Sequence, residues 1–171
     1  MFNNKKIRSF IVISFLSILL SRLIPHPPNF TTAIAVAFYL PALFGVKYML
    51  LSLAAFILSD LLLGLHNLLL FTWTSIFLIG VFSKYFKNFY LRLFGATGSC
   101  MIFFAVSNFG VWLLSMSYEK TFSGLLECYM MGLPFLQNSL ISTIGVAILI
   151  EFLIRANFAK NYISKINTSF S

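Results

Sequence analysis

Charge is scarce in this sequence, and carboxylates are its scarcest charged groups. Of the 171 residues, 9% are charged, with 4 Asp and Glu against 12 Lys and Arg. An ordinary soluble domain carries about 25% charged residues. Because 60% of the residues are hydrophobic, so short a chain could not bury its apolar surface in a soluble fold. The composition therefore argues against a soluble enzyme. It also argues against a nucleic-acid partner, since the basic residues lie between apolar runs.

The sequence also lacks the motifs of metal sites and of the common hydrolases. Its two cysteines and two histidines form no C-x-x-C, H-E-x-x-H or other metal-ligand spacing. No Walker A motif is present, so we expect no ATP hydrolysis by this chain itself. The run GATGS at residues 95–99 does not match a G-x-S-x-G nucleophile motif. We therefore expect no catalytic residue, no metal and no cofactor, and an intramembrane enzyme is the least favoured class.

Long apolar runs are what the sequence has instead. A membrane-spanning helix needs about 17 to 25 mostly apolar residues. Turn residues such as Gly45, Gly64 and the prolines of residues 25–28 divide the chain into six candidates. The candidates are residues 7–24, 31–45, 48–64, 68–83, 93–116 and 134–154. The first follows a basic start but precedes no small-x-small cleavage site, so we interpret it as a span. The sequence predicts an all-α integral membrane protein whose residues 1–171 form a single transmembrane domain.

The distribution of Lys and Arg predicts the orientation of these spans. With the N-terminus in the cytoplasm, ten of the 12 basic residues lie inside, and Arg22 and Lys120 lie outside. Cytoplasmic loops are enriched in Lys and Arg. We therefore expect an inner (plasma) membrane protein with six transmembrane helices and both termini in the cytoplasm. Cys100 and Cys128 then fall on opposite sides of the membrane, which argues against a disulfide between them.

The segment of residues 117–133, before the last candidate span, mixes polar and apolar side chains. Its apolar residues, Leu125 and Tyr129 among them, have helical spacing. This pattern predicts a short interfacial helix on the outer face. Pro134 is suited to the first turn of the span that follows. Pro41 lies inside the second span and predicts a kink there.

Polar residues inside the candidate spans converge near the outer face. Asp60 lies about 6 Å and Asn108 about 12 Å inward from the outer ends of their helices, counted at the rise of an α-helix. Ionisable groups in the hydrocarbon region are costly and commonly mark a site, a pathway or a pair. Together the polar and aromatic residues at this level predict an outward-facing ligand pocket. The candidate ligand-binding residues from this argument are Arg22, Asp60, Trp73, Asn108, Trp112 and Asn138.

Each of these residues alone also has a structural interpretation. Arg22 can snorkel to the interface, tryptophans near helix ends form ordinary interfacial belts, and asparagines can hydrogen-bond neighbouring helices. For Asp60, whose short side chain cannot snorkel far, we favour a function or a specific partner. Arg22 and Asp60 either pair directly or stand apart and bind opposite ends of a polar ligand. The convergence of the other polar groups favours the ligand arrangement.

Four stretches of the sequence are distinctive when taken together. They are RLIPHPPNFT at residues 22–31, LSDLLLGLH at 58–66, SNFGVW at 107–112 and CYMMGLPFLQN at 128–138. With them the chain resembles an uncharacterised family of small bacterial membrane proteins, which in turn distantly resembles the S components of energy-coupling factor (ECF) transporters. The resemblance implies a site for a vitamin-sized ligand under the first outer loop, which adds His26 and Asn29 to the candidates. It also implies a transmembrane coupling subunit and two ATPases as partners.

Two function classes remain open. The leading class is a substrate-binding subunit embedded in the lipid bilayer, which takes up a small micronutrient with energy from a partner. The alternative is a structural or assembly protein of the cell envelope, which uses its apolar faces for protein contacts and binds no small molecule. A ligand that binds only the native state raises its stability, so a thermal-stability screen with vitamins discriminates between the two classes.

Overall fold

A computed structural model describes the backbone of residues 4–169 and the side chains of residues 7–156. Over this range the chain forms six α-helices and two 3₁₀ turns, and it contains no strand. The helices are α1 (Asn4–Leu23), α2 (Ala33–Phe44), α3 (Met49–Leu63), α4 (Leu69–Phe82), α5 (Phe89–Leu114) and α6 (Phe122–Ser169). The prediction of an all-α chain is confirmed. The two chain ends, on which the cytoplasmic placement of the termini depends, lie outside the described residues.

Helix α2 forms the centre of the bundle. It contacts each of the other five α-helices, and its residues from Ala33 to Pro41 are all buried. At 12 residues it is only about 18 Å long, but it is apolar on every side because protein surrounds it. Pro41 lies inside it and removes the helical hydrogen bond to the carbonyl of Ala37. The shortest apolar segment of the sequence is therefore the core of the molecule.

Glycines end α2 and α3 where the sequence predicted helix ends. Gly45 and Gly64 have φ angles of 108° and 107°, a region that favours glycine because it has no Cβ. The N–H of Gly64 donates to the carbonyl of Asp60 at 2.9 Å, which closes the last turn of α3. The chain then reverses, so that His66 returns towards the end of α3.

Large apolar side chains cover the outer surface of the bundle. Leu70 is 74% exposed, Ile13 66% and Ile148 57%, whereas monomeric soluble proteins rarely expose contiguous apolar patches. Three helical segments are long and apolar enough to cross a membrane: Val46–Leu63, Phe89–Leu114 and Phe122–Ala156. Helices α2 and α4 are apolar but shorter. The outer surface is thus suited to a lipid environment.

Helix α6 differs from the sequence prediction. The prediction of a separate short interfacial helix before the last span is wrong, because one continuous helix runs from Phe122 through Pro134. Contacts with α5 on both sides of the proline hold it together. Tyr129 donates to the carbonyl of Ala105 at 2.6 Å, and the thiol of Cys100 contacts the carbonyl of Ser139 at 3.5 Å. Packing along α5 therefore outweighs the helix-breaking tendency of the proline.

Candidate ligand-binding cavity

Asp60, in the last turn of α3, accepts hydrogen bonds from two other helices. Its residue is 1% exposed, yet both carboxylate oxygens have partners. Oδ1 accepts from Nη2 of Arg22 on α1 at 2.6 Å, and Oδ2 accepts from the indole N–H of Trp73 on α4 at 2.7 Å. A buried charge needs such partners, because its removal from water is otherwise very costly. The carboxylate therefore joins α1, α3 and α4 at this end of the bundle.

The expectation that Arg22 and Asp60 stand apart to hold the two ends of a ligand is wrong, because they form a direct ion pair. The physical reason is burial. With the Asp60 side chain 1% exposed, a ligand could not reach the carboxylate, and an unpaired guanidinium beside it would leave both charges uncompensated. Of the two arrangements that the sequence left open, the structure contains direct pairing.

The guanidinium of Arg22 is held on several sides. Nη1 donates to the hydroxyl of Ser59 at 2.8 Å and to the carbonyl of Phe56 at 3.2 Å. Its carbon lies 3.7 Å from the centroid of the Phe56 ring, a cation–π arrangement. The side chain nevertheless remains 14% exposed. Arg22 is thus fixed in place while part of its surface stays accessible.

The accessible surface of Arg22 faces a cavity of about 660 Å³. That volume lies within the range of small-molecule sites in proteins, about 300 to 1,000 Å³. Residues from the ends of helices and from the α1–α2, α3–α4 and α5–α6 loops line the cavity, so these three loops meet at one end of the bundle. The polar lining residues are Arg22, Asn29, His66, Thr72, Ser107, Asn108 and Tyr118. The apolar lining includes Phe56, Phe103, Phe135 and Met131.

Helix α5 contributes an unsatisfied acceptor to this cavity. The amide nitrogen of Asn108 donates to the carbonyl of Phe104 at 2.9 Å, and its Oδ1 has no hydrogen-bond partner among the described residues. The residue is mostly buried, with 8% of its surface exposed. Gly132 on α6 lies against it, and a Cβ at that position would collide with Oδ1. The close approach of α6 therefore confines Asn108 against the cavity wall.

The first outer loop lies in the wall of the same cavity. Pro28 and Asn29 line it, and Asn29 has a φ of 62°, a left-handed conformation that asparagine tolerates. The side-chain amide of Asn138 on α6 donates to the carbonyl of Pro28 at 3.0 Å. Asn138 itself does not line the cavity. Its position is that of an anchor for the loop.

The remaining predicted site residues lie elsewhere. Trp73 and Asp60 lie behind Arg22, outside the cavity lining. Trp112 donates its indole N–H to the carbonyl of Glu119 at 2.9 Å, and His26 contacts the carbonyl of Pro27 in its own loop at 2.7 Å. Of the eight predicted residues, the structure places Arg22, Asn29 and Asn108 in the lining. Phenylalanines, rather than the two tryptophans, supply its aromatic surface.

Sequence reasoning missed several cavity residues, and His66 is the most informative of them. Its Nδ1 accepts the N–H of Leu68 at 3.2 Å, which leaves Nε2 as the donor atom of the ring. Nε2 lies 3.9 Å from Oδ1 of Asp60. Helical spacing could have found one other member, because Ser107 lies four residues before Val111 and three after Phe104 on α5, but it gives no signal for His66 in its loop.

A second buried ion pair lies away from the cavity. Arg92 near the start of α5 donates from Nε and Nη2 to the two carboxylate oxygens of Glu151 on α6, at 2.6 and 2.9 Å. Arg92 also donates to the carbonyl of Lys87 at 2.7 Å. The bidentate geometry is the strongest arrangement of this pair. The pair joins α5 to α6 away from the cavity, since neither residue lines it.

The described residues contain no group of three His, Cys, Asp or Glu side chains placed to hold a metal ion. Both cysteines are buried and free. Cys128 lies in the cavity lining, and its thiol contacts the carbonyl of Asn108 at 3.5 Å. The polar chemistry of the cavity therefore comes from amide, hydroxyl, imidazole and guanidinium groups.

Three helices able to cross a membrane, together with an apolar outer surface, indicate an integral membrane protein. Within that class the chain belongs to DUF6580, a family of unknown function whose model matches residues 2–161. No curated protein and no solved structure shows significant similarity to the chain. The comparisons thus support the resemblance to an uncharacterised family and give no support to its extension to ECF S components.

Proposed function

We propose that the chain is a membrane-embedded substrate-binding subunit for uptake of a small micronutrient, with its ligand site in the 660 Å³ cavity. The observation that carries the proposal is the combination of a vitamin-sized cavity with an acceptor in its wall, Asn108 Oδ1, that accepts no hydrogen bond from the described residues. A purely structural bundle would gain stability by filling such a space, because empty volume forfeits packing contacts.

The orientation of the bundle follows from its charges. The two basic residues assigned to the outside, Arg22 and Lys120, belong to the end where the three cavity loops meet. The other ten belong to the opposite loops and the chain ends. The positive-inside rule then places the cavity on the extracytoplasmic side, with six spans and both termini in the cytoplasm of an inner-membrane protein. The site would capture its ligand from outside the cell.

Uptake requires energy that this chain does not supply. The sequence has no Walker A motif, so we assign it no enzymatic activity. In the arrangement known from ECF transporters, a transmembrane coupling subunit with ATPases would drive release of the ligand into the cytoplasm. Co-purification of such subunits with the tagged chain from its native membrane tests this part of the proposal.

One observation favours the alternative, a structural or assembly protein without a ligand. The direct Arg22–Asp60 pair, supported by Trp73, joins three helices and explains these buried polar residues without a ligand. The accessible part of Arg22 and the free acceptor of Asn108 are not explained in this way. We therefore place the ligand-binding function first.

A thermal-stability screen of the full chain in nanodiscs with water-soluble vitamins tests the proposal. A ligand present at 100 times its Kd stabilises the native state by about 2.7 kcal/mol. The variant Ser107→Ala removes a cavity hydroxyl, and Thr97→Ala is its matched control. Both hydroxyls lie on α5 and donate to the carbonyl four residues earlier, but only Ser107 lines the cavity. A stabilising vitamin whose effect falls in Ser107→Ala and not in Thr97→Ala supports the function. Stabilisation by none of them would leave the structural alternative ahead.

A further inference from the structure

The charges around the cavity balance one another. Arg22 is the only charged residue among those lining it, and Asp60 neutralises its guanidinium from behind at 2.6 Å. Nδ1 of His66, the other basic side chain in the lining, accepts the N–H of Leu68. The described part of the cavity therefore offers a ligand no net charge.

Neither sign of ligand charge finds a free counter-charge. The carboxylate in contact with the lining residue Arg22 is that of Asp60, but both of its oxygens already accept hydrogen bonds and the side chain is 1% exposed. An anion could approach Nε–H of Arg22, but Asp60 already neutralises the guanidinium at 2.6 Å, so the anion would face a carboxylate of its own sign. A charged group moved from water into such a site without a partner loses its hydration at considerable cost.

The hydrogen-bonding groups of the cavity fall into two kinds. Ser107 and Thr72 use their hydroxyl protons on helix carbonyls, at 2.6 and 3.1 Å, so towards a ligand they can only accept, as can Oδ1 of Asn108. The lining also contains donors. Nε2–H of His66 and Nε–H of Arg22 have no hydrogen-bond partner among the described residues. Together these groups are complementary to a molecule that has both hydrogen-bond donors and acceptors.

Aromatic side chains define the shape of the cavity around these polar groups. Phe56 and Phe103 form an edge-to-face pair with centroids 6.5 Å apart, and both line the cavity together with Phe135. Such surfaces favour a ring, which stacks or packs edge-on against them. The apolar and the polar lining residues thus contact different parts of one ligand: the ring and its hydrogen-bonding groups.

From this arrangement we propose that the ligand of the cavity is an uncharged ring compound that carries both hydrogen-bond donors and acceptors, such as a neutral heterocyclic amide or a non-phosphorylated vitamin. The inference rests on the proposed ligand-binding function and specifies its substrate class. Carboxylated, phosphorylated and cationic forms of the same ring are excluded.

Probes that share a ring and differ in charge test the inference on the full chain in nanodiscs, by calorimetry. One set is nicotinamide, nicotinate and the cation 1-methylnicotinamide; a second is riboflavin and its phosphate. We expect a neutral member to bind at least about tenfold more tightly than its charged partners, the factor that a difference of about 1.4 kcal/mol produces. Equal or tighter binding of a charged member would overturn the inference and leave the proposed function standing. Binding of no probe in either set would reject both.

Two variants repeat the test at different positions, so that a folding defect in one of them does not decide the outcome. Asp60→Asn removes the charge that neutralises Arg22, so preference should move from the neutral to the anionic member. Asn108→Asp places a carboxylate in the wall without changing side-chain size, so preference should move to the cation. Thr97→Ala, outside the cavity, should retain the wild-type order. An unchanged order of affinities in Asn108→Asp, folded as judged by size-exclusion chromatography, contradicts the inference.

Discussion

The indole N–H of Trp73 donates to the carboxylate oxygen of Asp60 that Arg22 leaves free, at 2.7 Å. This hydrogen bond makes Trp73 part of the support of the ion pair, although it does not touch the cavity. An aromatic residue near a helix end would ordinarily be assigned to the interfacial belt. Here its polar atom has a defined, buried partner.

Trp73→Phe should therefore destabilise the protein more than Trp112→Phe. The first removes a hydrogen bond to a buried charged group, worth about 1.5–3 kcal/mol. The second removes one to an exposed backbone carbonyl, that of Glu119, worth about 1 kcal/mol or less. Thermal unfolding in detergent, followed by a fluorescent thiol dye or by scattering, measures the difference. Equal destabilisation of the two variants would contradict the assigned role of Trp73.

Removing one partner of the Arg92–Glu151 pair should lower stability without changing ligand binding. Arg92→Lys keeps the charge but cannot make the two parallel hydrogen bonds to the carboxylate. We expect Glu151→Gln and Arg92→Gln to cost several kcal/mol, since breaking a buried pair in soluble proteins costs about 3–5 kcal/mol, and Arg92→Lys to cost less. Unfolding midpoints and calorimetric affinities check the two parts. A lost affinity in a variant that remains folded would show that this pair communicates with the cavity.

The sequence placed the helices well because their signals are local. Apolar runs and the glycines at positions 45 and 64 define where α2 and α3 end, and no distant residue is needed to read them. At Pro134, in contrast, the local signal led to a wrong prediction. Its local signal is a helix start, but contacts of α6 with α5 on both sides of it keep the helix continuous.

The candidate site was only partly predictable for the same reason. Depth along a helix identified Asn108 as a buried polar group, and the structure places it in the cavity lining. The pairing of Arg22 with Asp60 depends on the packing of α1 against α3, which no sequence pattern specifies. His66 reaches the cavity only because the chain reverses after Gly64. The position of each residue along its helix predicted its depth in the bundle, whereas the packing of the helices determined its neighbours.

The first outer loop should contribute to binding through its anchor on α6. Asn138→Ala removes the hydrogen bond to the carbonyl of Pro28, so the loop residues that line the cavity lose a fixed position. We expect weaker binding, by up to about tenfold for the loss of one hydrogen bond of about 1 kcal/mol, with normal membrane insertion. Replacing residues 25–30 with a Gly/Ser linker should have a larger effect, because three prolines no longer restrict the loop. Unchanged affinity in the linker variant would make the loop a plain connector.

Cysteine labelling tests the topology. Cys100 and Cys128 are both buried and would be replaced by alanine before single cysteines are introduced. In intact cells whose outer face is accessible, Lys120→Cys should react with a membrane-impermeant maleimide, and Ser171→Cys should react only after permeabilisation. The reason is the excess of basic residues assigned to the cytoplasmic side. Labelling of Ser171→Cys from outside intact cells would reverse or reject the six-span arrangement.

A double-mutant cycle on Arg22 and Asp60 separates the structural role of the pair from its role in the site. Because the two side chains are in direct contact and largely buried, Arg22→Gln and Asp60→Asn should each destabilise the protein strongly, by an amount approaching about 3–5 kcal/mol. The double variant should recover part of that loss, and the cycle should give a coupling energy above about 0.5 kcal/mol. Uptake adds a second readout. If Arg22 also contacts the ligand, the double variant should regain stability and still fail in uptake, whereas a purely structural pair should regain both together. Full stability and full uptake in both single variants would contradict the pairing and the ligand contact alike.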